Sequence, residues 1–290
     1  FSSSDSGTFS LSSYIPNDSG IMEIDYELAG TFVISDYSAT DLPPFDTYFS
    51  DDFTSVSTTQ NHWYENTETS WYGLQFSIND GRFELLGKGT DVDELWFDAN
   101  SKSLVSVSKD WTIQGDAYAN YQAVGQEYWH AKLGFEMEDS ADFELFIGPS
   151  SNIFHAHINY GDAAGNYQSL SNSFYISGLK EGNCRVRNDS DTKTFYAEAL
   201  INGSWNTIMS VNWETGAVDG ATWSNGGSTT QLSNWESMAS KYVQPGMDFR
   251  IPSDDITIQT LSANQLGFTS FSVTSDEDPM PKAFEDLTSE

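Results

Sequence analysis

Apolar and polar residues alternate along most of the chain. The runs Leu74-Gln75-Phe76-Ser77-Ile78, Phe83-Glu84-Leu85, Phe135-Glu136-Met137-Glu138 and Phe143-Glu144-Leu145-Phe146-Ile147 keep a period close to two. Phe195-Tyr196-Ala197-Glu198-Ala199, Ile256-Thr257-Ile258-Gln259 and Phe268 to Val273 do the same. That period predicts strands with one face in a core and the other turned outward. Turn-forming clusters punctuate the runs, among them Asn79-Asp80-Gly81, Asn202-Gly203 and Asn225-Gly226-Gly227. Asn202-Gly203, set between Ile201 and Trp205, predicts a tight hairpin, because such turns need residues that tolerate positive φ. One stretch, Leu232 to Tyr242, has helical spacing, with Ser233 or Asn234 as its cap. The pattern predicts an all-β protein, most economically a two-sheet antiparallel sandwich.

Composition divides the chain into three zones. Residues 1–48 are rich in Ser and Asp, with a strand pair over 21–35 and a linker containing Pro43-Pro44. Residues 49–274 carry the dense strand signals of the sandwich. Residues 275–290 read as an extended acidic tail with Pro279 and Pro281. The opening Phe1-Ser2-Ser3-Ser4-Asp5 reads as a mature terminus after leader removal, or as a cut within a longer chain.

Charge narrows the setting. The chain has 43 acidic residues against 12 basic ones, a formal net charge of -31. Such self-repulsion is tolerated where salt screens it or divalent cations neutralise it, which points to an extracellular or cell-surface setting, saline or calcium-rich; the lack of a cystine framework points to a prokaryotic source. Nucleic acid, which needs Lys and Arg to displace its counterions, is excluded as a partner. No apolar run is long enough to insert in a membrane. Aromatic residues make up 14% of the chain, including 9 Trp, so a sizeable core is expected rather than a disordered acidic chain. Cys184 is the only cysteine, which rules out an intrachain disulfide.

Several stretches together resemble a known superfamily. Phe49-Ser50-Asp51-Asp52-Phe53 followed by Trp63 is similar to the opening of certain secreted domains. Asn79 to Leu85 is similar to their early hairpin, and Tyr128 to Met137 to a central strand. Arg185 to Asp189, Phe195-Tyr196 and Trp205 to Ile208 are similar to a back-sheet hairpin. Asp255 to Ile258 and Phe268 to Val273 are similar to closing strands. On these residues the zone 49–274 resembles the concanavalin A-like lectin and glucanase superfamily in its laminin-G-like, jelly-roll form. The resemblance implies glycan binding, with polysaccharide hydrolysis or lysis in some branches. Fold alone does not choose between them.

Candidate chemistry falls in six places. Glu23, Asp25 and Glu27 would share one face of a strand. They resemble the E-x-D-x-E active-site strand of laminarinase-like glycosidases, which implies nucleophile, modulator and acid/base roles in a retaining mechanism. Glu136, Glu138, Asp142 and Glu144 form a second acidic cluster, read as an outward polar face with a glycosidase pair as the alternative. His155 and His157 share a strand face, suited to lining a sugar groove or to holding a metal if a third ligand joins them. Asp91, Asp93 and Asp98, and separately Asp189 and Asp191, offer hard oxygen ligands to Ca2+. Trp213, Trp223 and Trp235 lie in a turn-rich stretch and are expected to be exposed for stacking on sugar rings.

Three functions follow as expectations. The first is a secreted, non-catalytic sandwich for glycan binding or adhesion, its partner a polysaccharide or cell-surface glycan. The second is a structural subunit of a filament or surface layer that pairs with copies of itself by terminal-strand exchange. The third is a glycoside hydrolase using Glu23, Asp25 and Glu27.

Overall fold

A computed structural model of the chain describes residues 49–65, 74–88, 95–120, 130–138, 143–150, 152–220, 223–224, 229–238, 241–251, 260–276 and 280–281. The chain divides into two units, Phe1–Phe45 and Asp46–Glu290, and the fold below is that of the second. Its first elements are β1 (Phe49–Asp51), a helix α1 (Val56–His62), β2 (Trp63–Glu65), β3 (Leu74–Ile78), β4 (Phe83–Lys88), β5 (Leu95–Ser101) and β6 (Ser103–Ser106). The middle holds β7 (Trp111–Ala119), β8 (His130–Glu138), β9 (Glu144–Ser150), β10 (Ile153–Gly161), β11 (Tyr167–Tyr175), β12 (Glu181–Asp189), β13 (Thr194–Ile201) and β14 (Ser204–Asn212). Then come β15 (Val218–Asp219), β16 (Trp223–Ser224), β17 (Tyr242–Ile251), β18 (Thr260–Leu261), β19 (Leu266–Ser275) and β20 (Met280–Pro281).

The strands form two antiparallel sheets. One runs β15-β14-β13-β12-β7-β19-β4-β18, with β1 beside β19 and β3 beside β4. The other runs β16-β11-β10-β9-β8-β17-β5-β2, with β6 beside β17 and β20 beside β6. Alternation sets what each buries. In β7, Trp111, Ile113, Gly115 and Ala117 turn inward while Thr112, Gln114 and Asp116 turn out. In β8, Ala131, Leu133 and Phe135 are buried on the inner side. Aromatic rings join the sheets. Trp111 of the first meets Phe135 of the second edge-on, centroids 5.3 Å apart, and Phe268 meets Phe249 at 5.4 Å. The all-β, two-sheet sandwich read from the alternation is the observed architecture.

Local signals behave as their chemistry requires. Asn202 and Gly203 take φ of 52° and 79° and close the β13–β14 hairpin, the positive pair that a two-residue turn demands. The opening around Asp51 is a buried hydrogen-bond hub. The Asp51 carboxylate accepts from Phe53 N at 2.8 Å, Thr59 Oγ1 at 3.0 Å and Trp63 Nε1 at 3.2 Å. The aspartate and the tryptophan of that motif are thus partners in space.

One expected element is corrected. Among its described residues, Leu232 to Tyr242 contains no helix. Long-range bonds hold it instead: Leu232 N donates to Gly216 O at 2.8 Å and Met238 N to Trp213 O at 3.0 Å. Leu232 and Met238 drop into the core. Tertiary pairing outweighs the weak helical preference of so short a stretch. The helix lies at Val56–His62, where Ser55 Oγ caps it by accepting from Thr58 N.

Candidate functional site

The outer face of the second sheet carries an unusual set of polar residues. Strand register lines them up in rows. Asp98, Asp248 and Lys132 stand side by side on β5, β17 and β8. The next row is Asn100, Gly246, Gly134, Phe146, His157 and Ser171. The third is Gln244, Glu136, Glu144, Asn159 and Ser169. The glycines of the middle row keep the floor low between two rows of long polar side chains. A methyl group at Gly134 would come 2.0 Å from Leu145 O, and one at Gly246 would come 2.7 Å from Asn100 Oδ1. Above this floor lies a cleft of about 190 Å3, lined by Asp98, Glu136, Glu144, Phe146, Asn159, Tyr167 and Asp248.

Hydrogen bonds and charge order the lining. Glu144 Oε2 accepts from Asn159 Nδ2 at 2.9 Å and lies 4.0 Å from His157 Nε2. His157 Nδ1 is 2.9 Å from Lys132 Nζ, which also lies 3.9 Å from Asp248 Oδ2. An ammonium can only donate, so Nδ1 accepts and the proton of a neutral imidazole sits on Nε2, toward Glu144. Phe146 stacks on the His157 ring, centroids 5.7 Å apart. Asp98 is pushed well above the usual carboxylate range, first by burial and then by the charges of Asp248, Glu136 and Glu144. It therefore holds its proton at pH values where an ordinary aspartate has lost it.

The sequence candidates divide sharply. His155, His157 and Asp98 lie on this face, His155 Nδ1 2.9 Å from Ser173 Oγ. Glu136 and Glu144 stand directly opposite one another on β8 and β9. Trp213 is a core residue, 4% exposed, its Nε1 donating to Asn188 Oδ1 at 2.9 Å; this corrects its expected exposure. Trp235 is half-buried, edge-on to Phe143 and Tyr160, and donates to Trp213 O at 3.2 Å. Only the strand position of Trp223 is described, paired with Ser171. Glu23, Asp25, Glu27, Asp91 and Asp93 lie outside the described residues, as does the strand pair over 21–35 on which terminal-strand exchange would depend.

Asp189 accepts from Thr192 N at 2.9 Å and pairs with Arg187 Nη1 at 3.6 Å, whereas Asp98 faces the cleft. Asp191 is exposed. Among the described residues no three His, Cys, Asp or Glu side chains are grouped to hold a metal. No helix among them is long and apolar enough to cross a membrane.

Sequence reasoning missed Lys132, Asp248, Asn159 and Tyr167. Two of them left a signal: Ala131-Lys132-Leu133 and Met247-Asp248-Phe249 each place a charge inside an apolar alternation. What that signal could not show is that the two strands are neighbours.

No family model matches the chain, and no curated protein does. Solved structures with a similar arrangement exist. One comes from work on endo-acting O-glycanases of the human gut microbiota that initiate mucin breakdown. It is 6% identical, with TM-score 0.47, and the match covers 86% of this chain and 96% of that one. A legume lectin-like domain from Entamoeba histolytica is 9% identical, with TM-score 0.42, covering 79% and 94%. An endo-1,3-beta-glucanase from Streptomyces sioyaensis is 14% identical, with TM-score 0.45, covering 80% and 98%. In this chain itself the strands pair into two antiparallel sheets, the two-sheet sandwich expected from its sequence.

Proposed function

We propose that the cleft on the outer face of the second sheet binds a neutral saccharide, making this sandwich a glycan-binding module. The observation that carries the reading is the lining itself. Glu136, Glu144, Asp248 and Asp98 line it with carboxyl groups, the burial of Asp98 among the others favouring its protonated, hydrogen-bond-donating form, and the exposed ring of Tyr167 offers an apolar face. A sugar ring presents that mixture, hydroxyls at its rim and C–H groups on its faces. The surplus of carboxylates, in a chain of net charge -31, disfavours uronate-rich and sulfated polymers. The extracellular setting expected from charge, and the adhesive role that the resemblance implied, fit a module of this kind.

The test is a glycan array followed by calorimetry on the strongest neutral hit. Glu144→Gln is expected to weaken binding at least tenfold with the melting temperature unchanged. A protein that binds no neutral glycan, or that binds equally well with Gln at 144, overturns the reading.

A second reading is favoured by one arrangement, a buried Asp98 facing Asp248, Glu136 and Glu144, which raises its pKa. Carboxyl groups whose environments drive their pKa values apart are what acid-assisted glycoside hydrolysis needs. Under that reading Asp98→Asn abolishes release of reducing ends while the glycan still binds. A wild-type protein that binds glycan for days without cleaving it removes the hydrolase reading and leaves the module.

A further inference from the structure

The outward side of β11 extends well beyond the cleft. Register places Tyr167, Ser169, Ser171, Ser173 and Tyr175 opposite Gly161, Asn159, His157, His155 and Ile153 of β10. Side chains alternate along a strand, so all five share the face that carries the cleft. Tyr167 lines the cleft at one end. Tyr175 stands eight residues away, about 26 Å at roughly 3.3 Å per residue.

Both tyrosines face solvent, 62% and 68% exposed. Neither is held there by burial, which is what usually fixes an aromatic residue in a sandwich strand. Between them the outward positions are all serine, uncharged in a strongly acidic chain. Exposed aromatic residues at both ends, joined by hydroxyls and free of charge, suit an extended, uncharged, hydroxyl-rich polymer. A polyanion would find no cation on the strip, and a protein segment would find no apolar pockets between the tyrosines.

We propose that β11 is a track for a neutral oligosaccharide chain several units long, running from the cleft at Tyr167 to a distal stacking site at Tyr175. The inference rests on the reading of the cleft as a saccharide site and adds the ligand class: an extended polymer rather than a terminal sugar.

Calorimetry with cello-, laminari- and xylo-oligosaccharide ladders, from dimer to octamer, tests it on the full chain. Affinity is expected to climb with length. Tyr175→Ala should lower octamer affinity about tenfold, the scale of one aromatic contact, and leave dimer affinity unchanged. Glu144→Gln should weaken dimer and octamer alike. An octamer that binds no tighter than the dimer overturns the track, and so does a silent Tyr175→Ala in a protein still sensitive to Glu144→Gln; the cleft reading survives both. Failure of every ladder to bind overturns track and cleft together. A self-associated form that Tyr175→Ala dissolves would place a second copy of the chain on the strip and overturn the saccharide assignment. Tyr175 is exposed, so an unchanged melting temperature confirms that the variant reports on binding.

Discussion

Lys132 Nζ lies 3.9 Å from Asp248 Oδ2, on an outer sheet face, with the two side chains only 1% and 2% exposed. Outer faces of sandwiches are ordinarily wet. Here a cation and an anion are both withdrawn from water, and each is tolerable only because of its neighbours. Removing one partner strands the other. Lys132→Met is expected to destabilise the protein by about 3 kcal/mol, read as a lower urea midpoint at constant slope. The double variant Lys132→Met, Asp248→Leu should recover much of that loss. A single variant as stable as wild type would show that the pair carries no mutual dependence.

Asp98 gives the protein a pH signature. Its carboxyl is raised in the fold, above the value of 3.8 from which it starts. The native state therefore keeps this proton after the unfolded chain has lost it. Stability from this site is unimpaired below about pH 3.8 and falls as pH climbs toward the raised native value. Asp98→Asn removes the penalty. The variant is expected to be more stable than wild type at pH 7, with the gain vanishing near pH 4. Urea unfolding at both values checks this, and a gain that grows on acidification would contradict the sign.

The glycine floor makes a sharper structural demand. A Cβ at Gly134 would sit 2.0 Å from Leu145 O and 2.8 Å from the Cα of Phe146. These are backbone atoms of a paired strand and cannot swing aside. Gly134→Ala is expected to cost about 1–3 kcal/mol, seen as a lowered melting temperature. It should also weaken glycan binding in the fraction that stays folded, because β8 and β9 together shape the cleft. Wild-type stability in this variant would mean that the strands separate more easily than their packing implies.

Much of the fold was legible from local pattern. The alternation in Phe143 to Ile147 and in Phe195 to Ala199 named strands that the structure contains, since burial of one face is written into every second residue. Asn202-Gly203 named its hairpin because few residues accept positive φ. The pairing of Asp51 with Trp63 was visible as a motif, although its meaning as a buried hydrogen bond was not. Trp213 shows where local reading stops. It lies in a polar, turn-rich stretch, yet its ring is in the core with its N–H on Asn188. The decision was made by β12, a segment its own neighbours say nothing about. Leu232 to Met238 repeats the lesson: helical spacing lost to contacts with Gly216 and Trp213.

The sequence by itself determined the class of structure, the strand faces and the tight turns, because these depend on one residue and its near neighbours. It also determined the acidic character that sets partners of like charge aside. The tertiary structure alone decided the site. Asp98, Glu136, Glu144, Asn159, Tyr167 and Asp248 come from six different strands, and only the order of strands in the sheet brings them to one cleft. Strand order is a long-range choice, governed by how two faces pack and which edges meet, and no local period encodes it.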